Sequence, residues 1–86
     1  MNTDIKQRAF HRIKILKGQI NGLEKSLDQE KYCPDILSLS FTIRESLKSF
    51  DSLLLKNHLK THVSEQFKRG DEKKSTEELL KIFLFL

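Results

Sequence analysis

Apolar residues in the first third of the chain recur with the spacing of a helix that buries one face. They lie four or three residues apart, which defines one seam of an amphipathic helix. The seam consists of Ala9, Ile13, Leu16, Ile20, Leu23 and Leu27. The pattern predicts a first helix over about residues 3–29.

The middle of the chain predicts one unusually long helix with two apolar faces. Pro34 suits the first turn of a helix, and the next strong stop signal is Gly70. A helix over about 34–69 is far longer than the usual 11 or 12 residues. One stripe is Ile36, Ile43, Leu47, Phe50 and Leu54, and another contains Leu37, Phe41, Leu55 and Leu59. Two apolar faces predict two partners, namely the first helix and a second subunit.

A third, short helix is predicted near the end of the sequence. Ser75 and Glu78 have the spacing of a capping box, and an amphipathic pattern follows over about 76–86. Three glycines and one proline provide little turn chemistry for a sheet. We therefore expect a single all-α domain over 1–86, a three-helix protomer that needs an oligomer to bury its apolar surface.

Composition restricts the setting in which the protein works. The net charge of +4 permits a polyanionic partner without requiring one. One cysteine excludes an internal disulfide and suits a reducing cytosol, so we expect a cytoplasmic location. No apolar run of about 18 residues occurs and the N-terminus is polar, so we expect neither a membrane span nor a signal peptide.

The spacing of one cysteine and two histidines predicts a metal site shared between subunits. If one helix runs from Cys33 past His58, the two residues lie about 37 Å apart at ~1.5 Å rise per residue. His58 and His62 share a helix face, and an antiparallel partner helix would bring its own Cys33 to that pair. The alternatives are a buried, inert cysteine and two solvated histidines. Leu59 follows the first histidine, so the zinc-protease motif is absent.

The first helix also carries a run of positive charge. Between Ile5 and Leu23 there are five basic residues and no acidic residue. They are Lys6, Arg8, Arg12, Lys14 and Lys17. Such a run is usually a solvated helix face, but it is also typical of a protein that contacts phosphates.

Several of these positions together resemble a known family of bacterial metal sensors. Arg12, Gly18, Gln19 and Gly22 resemble the RxxxxxGQxxG signature of its first helix. Further matches are Tyr32-Cys33, Asp35-Ile36-Leu37, Ile43-Arg44, His58-Leu59 and His62. Over about residues 5–85 the sequence is similar to the copper-sensitive operon repressor and nickel–cobalt repressor family, CsoR/RcnR.

The resemblance implies more than the residues alone. It implies a three-helix protomer with one long central helix, an antiparallel dimer and a tetramer. The metal-free protein would bind an operator, and an inducer would lower its affinity for DNA. The metal ligands would be Cys33, His58 and His62, with Tyr32 beside them. The DNA contacts would be Arg12, Lys14, Lys17 and Arg44.

Departures from the family pattern leave the inducer open. Copper members carry cysteine where this chain has His62, and nickel–cobalt members add an N-terminal histidine that Met1 and Asn2 do not supply. One thiolate and two imidazoles suit Cu(I), Zn(II), Co(II) or Ni(II). For Ni(II) and Co(II) the terminal amine, Asn2 or Asp4 would have to complete the site. Formaldehyde-sensing members begin Met-Pro, whereas Asn2 stands here.

Two functions from different classes follow from these observations. The first is a metal-responsive repressor of transcription, with a formaldehyde- or electrophile-sensing repressor as its variant. The second is a helical interaction protein whose cysteine and histidines are structural or vestigial. An enzyme is not expected, because no acid–base pair lies in a plausible cleft and the chain is too short to enclose one.

Overall fold

Three α-helices and one π-helical segment make up the part of the chain that the structure describes. The computed structural model describes residues 1–63, 65, 68–70 and 72–85, with the backbone alone at 62, 63, 72, 75 and 83–85. Helix α1 spans Thr3–Asp28, α2 spans Cys33–His58, and α3 spans Glu72–Phe85. No strand occurs among these residues. The predicted all-α, three-helix protomer with a long central helix is therefore confirmed.

Polar groups mark both ends of α1. Asn2 is the N-cap, and its side-chain oxygen accepts a hydrogen bond from the backbone N–H of Ile5 at 2.9 Å. At the other end the N–H of Lys31 donates to the Ser26 carbonyl and that of Glu30 to the Leu27 carbonyl. This is a Schellman motif, with Glu30 at φ 50° where glycine is usual. The turn into α2 is therefore fixed by backbone hydrogen bonds.

The chain forms two compact units, Met1–Leu54 and Leu55–Leu86, and α2 contributes to both. In the first unit, the buried side chains described are Ala9, Leu16, Ser26 and Leu53. An inter-helix hydrogen bond joins Arg12 of α1 to Ser49 of α2. The first unit is therefore an α1–α2 pair with a small apolar core.

The buried face of α1 is turned slightly from the predicted seam. Ile20 and Leu27 were expected inside, but they are 52% and 66% exposed. Gln19 is half-buried and Ser26 is buried in their place. The hydroxyl of Ser26 donates to the Gly22 carbonyl at 2.9 Å, so burial leaves no unmet hydroxyl. A local hydrogen bond within the helix thus lets a polar residue occupy the core.

Helix α2 presents a second apolar face that α1 does not cover. Ile36, Ile43 and Phe50 of the first stripe are half-buried, whereas Leu47 of the same stripe is exposed in the protomer. On the second stripe Leu37 and Phe41 are 63% and 60% exposed. The two-faced character predicted for this helix is confirmed in the protomer.

The long second helix does not continue as one α-helix to residue 69. It ends at His58 and is followed by a π-helical segment, Leu59–Val63. The hydroxyl of Thr61 donates to the Asn57 carbonyl at 2.9 Å, and such back-bonding competes with the regular helix ladder. Helical hydrogen bonding resumes from Arg69 N–H to the Glu65 carbonyl, and Gly70 stops it at φ 82°. The predicted stop was correct, but the uninterrupted helix was not.

Helix α3 begins earlier than the capping-box pattern predicted. Its first residue is Glu72, so Ser75 lies inside the helix and is not its N-cap. Residues 72–74 are Glu-Lys-Lys, which are good helix formers and favour a helix that already includes them. Leu86, the expected last residue of α3, lies outside the described residues.

The left-handed conformation of Glu30 predicts that glycine is better there. We expect Glu30→Gly to raise the free energy of unfolding by about 0.5 kcal/mol, because relief of the backbone penalty exceeds the entropy that glycine adds to the unfolded chain. Glu24→Gly inside α1 should lower it by about 1 kcal/mol. Urea unfolding measures both changes, and equal destabilisation by the two would contradict the assignment of the turn.

The exposed face of α2 predicts self-association. Phe41→Glu should yield smaller assemblies, because each copy loses about 2 kcal/mol of apolar burial and gains a charge at the contact. The matched control is Thr42→Glu, which adds the same charge at the next exposed position. Light scattering measures the mass of the assemblies. An unchanged mass for Phe41→Glu would mean that this face is not an interface.

Candidate metal and nucleic-acid sites

The start of α2 presents a thiol to solvent. The Tyr32 carbonyl accepts hydrogen bonds from the N–H groups of Asp35 at 2.9 Å and Ile36 at 3.3 Å, and it thereby opens the helix. Pro34 stands in the first turn, where its missing N–H costs nothing. Cys33 is a free, exposed cysteine, and Tyr32 beside it is exposed as well. The thiol is therefore accessible to an ion or to another subunit.

The end of α2 places a histidine against a carboxylate of α3. His58 is the last residue of α2, and its Nε2 lies 3.4 Å from Oε2 of Glu78. Both side chains are about one third exposed. Sequence reasoning assigned Glu78 to a helix cap and missed this contact. No spacing rule could have found it, because the contact depends on how residues twenty positions apart fold back within the second unit.

The three predicted metal ligands do not come together within one chain. Cys33 and His58 stand at opposite ends of α2, about 37 Å apart along its axis at ~1.5 Å rise per residue. The backbone of His62 lies in the π-helical segment, and its side chain is outside the described residues. Among the described residues no three His, Cys, Asp or Glu side chains form a metal-binding group.

The side chains of Asn2 and Asp4, considered above for the metal site, contact α1 in the protomer. The Asn2 side chain caps the helix through the N–H of Ile5. Asp4 lies in the first turn, and its Oδ2 is 3.8 Å from Nη1 of Arg8. In the protomer Asn2 therefore caps α1, and Asp4 makes a long, exposed contact with Arg8.

The basic residues of α1 and α2 occupy different environments. Lys14, Lys17 and Arg44 are exposed, whereas Arg12 is half-buried. The Nε of Arg12 donates to the hydroxyl of Ser49 at 3.1 Å. An open groove of about 430 Å³ runs along the same face of α1. Its lining is Asp4, Gln7, Arg8, His11, Arg12 and Ile15.

Ser49 is a second residue that sequence reasoning missed. It stands thirty-seven positions from Arg12, and serine at an exposed helix position carries no functional signal of its own. His11, which lines the same groove, is exposed.

The protomer has a thiol and an imidazole at opposite ends of one helix, and basic residues on its first helix. These are features of a ligand-responsive DNA-binding protein. Residues 5–84 match the family model described as metal-sensitive transcriptional repressor. The chain belongs to this family, and the resemblance to the CsoR/RcnR repressors is confirmed. It is a metal-sensing transcriptional repressor and not an enzyme.

Named relatives and a solved structure agree with this assignment. The chain is 30% identical over 78 residues to the copper-sensing transcriptional repressor CsoR of Bacillus subtilis strain 168, covering 91% of this chain and 77% of that protein. It is also 30% identical to CsoR of Mycobacterium ulcerans, with 91% and 67% covered. The crystal structure of CsoR with Cu(I) from Geobacillus thermodenitrificans superposes with a TM-score of 0.90 at 25% identity, covering 96% of this chain and 86% of that one.

Within the part of the chain that the structure describes, none of the helices combines the length and the apolar character that a membrane span requires.

Proposed function

We propose that the metal-free protein binds operator DNA as a repressor, and that a transition-metal ion shared between two protomers lowers its affinity for DNA. The observation that carries the proposal is the continuity of α2 from Cys33 to His58. A helix of this length keeps the thiol and the imidazole of one chain apart, so a site that uses both must draw on two chains. An antiparallel pair of α2 helices meets this requirement twice by symmetry.

The donor set fits a transition-metal ion. Cys33 would supply the thiolate, and His58 and His62 of the partner protomer would supply imidazoles. A carboxylate beside a metal-bound histidine commonly orients its ring, and Oε2 of Glu78 lies 3.4 Å from Nε2 of His58. When bound, the ion supplies a cross-link between the start of one α2 and the end of the other.

Cu(I) is the inducer that we propose first. The named relatives are copper-sensing repressors, and the structural neighbour contains Cu(I). Soft thiolate ligands favour Cu(I). Cu(I) also accepts three ligands, which matches a set of one cysteine and two histidines. Because two imidazoles also suit Zn(II), Ni(II) and Co(II), titration of the reduced protein with each ion decides among them. Modification of Cys33 by an electrophile without any metal response would favour the alternative inducer.

DNA binding is assigned to the basic residues of α1 and α2. Arg12, Lys14, Lys17 and Arg44 would contact backbone phosphates, and their charges would add over the protomers of a dimer or tetramer. The support is their positive charge, the exposure of three of them and the family to which the chain belongs.

Mixing two inactive variants tests whether the site bridges subunits. Cys33→Ala and His58→Ala should each abolish the thiolate charge-transfer absorption of the metal-loaded protein. Refolded together in equal amounts, about half of the dimers are mixed and each keeps one intact site, so about a quarter of the wild-type capacity should return. The exposed His11→Ala is the control and should bind metal normally. A mixture that binds no metal would show that the ligands come from one chain.

Linkage between metal and DNA tests the repressor function. A fluorescent duplex is first selected from a random-sequence pool by the metal-free protein. A tenfold loss of DNA affinity on Cu(I) binding requires a coupling free energy of only about 1.4 kcal/mol. By reciprocity, the same duplex must weaken Cu(I) binding by the same factor. Equal metal affinity with and without the duplex would contradict metal-driven release from DNA.

A further inference from the structure

Arg12 is held differently from the other basic residues assigned to DNA. Its Nε–H donates to the Ser49 hydroxyl at 3.1 Å across the α1–α2 contact, and its side chain is half-buried. A guanidinium has five N–H donors, so this hydrogen bond leaves four for another ligand. Anchoring one edge of the group reduces the rotamer freedom that is lost when a phosphate is bound.

The groove beside Arg12 has the chemistry of a site for one phosphate. Arg8 and Arg12 lie one helical turn apart on the same face of α1, and both line the groove together with Gln7 and His11. Guanidinium groups match phosphate oxygens in charge and geometry. Asp4 is the acidic residue of the lining, but its contact with Arg8 is long at 3.8 Å and exposed on both sides. Such a pair is weak, and a phosphate can replace the carboxylate.

We propose that Arg8 and Arg12 form a groove for one DNA backbone phosphate, and that Ser49 is the positioning residue for Arg12. This inference rests on the proposed DNA-binding function and adds two residues to it. It also gives α2, whose ends carry Cys33 and His58, a direct hydrogen bond to a proposed DNA-contacting side chain of α1.

A double-mutant cycle tests the role of Ser49 with the selected duplex. Ser49→Ala should weaken binding roughly fivefold, about 1 kcal/mol, because Arg12 loses its anchor. Ser49→Thr keeps the hydroxyl and should bind within about twofold of the wild type. The control Ser52→Ala removes an exposed hydroxyl from the same helix and should have no effect. In an Arg12→Ala background, Ser49→Ala should cost nothing further.

The outcomes separate the positioning role from the proposed function itself. If Arg12→Ala binds the duplex like the wild type, the assignment of Arg12 to DNA is wrong. If Arg12→Ala loses affinity while Ser49→Ala does not, the proposed function stands and the positioning role is wrong. A loss from Ser49→Ala that persists without Arg12, or unfolding detected by circular dichroism, would assign Ser49 a structural role instead.

The salt dependence of binding tests the contribution of Arg8. Arg8→Gln should weaken binding and lower the slope of log affinity against log salt by about one for each bound protomer. Lys31→Gln removes one charge from the exposed inter-helix turn and is the control, which should leave the slope nearly unchanged. Equal slopes for the two variants would show that the groove contacts no phosphate and that its arginines are merely solvated.

Discussion

The length of α2 is the constraint on which the proposed site depends. An α-helix is stiff and rises about 1.5 Å per residue, so residues at the two ends of a 26-residue helix cannot share an ion. Cys33 and His58 hold those two ends. In such a chain, either the two residues bind no common ion or they bind one together with residues of a second chain. The second apolar face of the same helix, with Leu37 and Phe41 exposed, supplies a surface through which a second chain can pack.

The helical periodicity of apolar residues predicted most of the fold. The predictions were wrong where local hydrogen bonds changed the buried face or the helix geometry. The apolar pattern predicted three helices because burial on one face is the main source of helix stability in a protein. It could not predict that Ser26 would enter the core, since this depends on a hydroxyl bonded to the Gly22 carbonyl. The spacing of apolar residues likewise does not predict the π-helical segment after His58.

The candidate metal ligands could be predicted from the sequence, because cysteine and histidine are residue types that bind metals. The residues that contact the candidate site residues could not be predicted. A cysteine and a pair of histidines indicate a possible metal site wherever they stand in a sequence. Glu78 and Ser49 are ordinary helix residues, and contact with His58 and Arg12 gives them their significance. Such contacts join residues that lie far apart in sequence, so they depend on packing, and no periodicity in one segment encodes them.

The two polar contacts occur in different units of the chain. Arg12 and Ser49 belong to the first unit, and His58 and Glu78 belong to the second. Helix α2 is the element that both units share, and each contact includes one of its residues. If metal binding is to alter DNA affinity, a displacement or a change in rigidity of α2 is the most direct physical route. The π-helical segment Leu59–Val63 directly after His58 is a departure from regular helix geometry beside one of the proposed ligands.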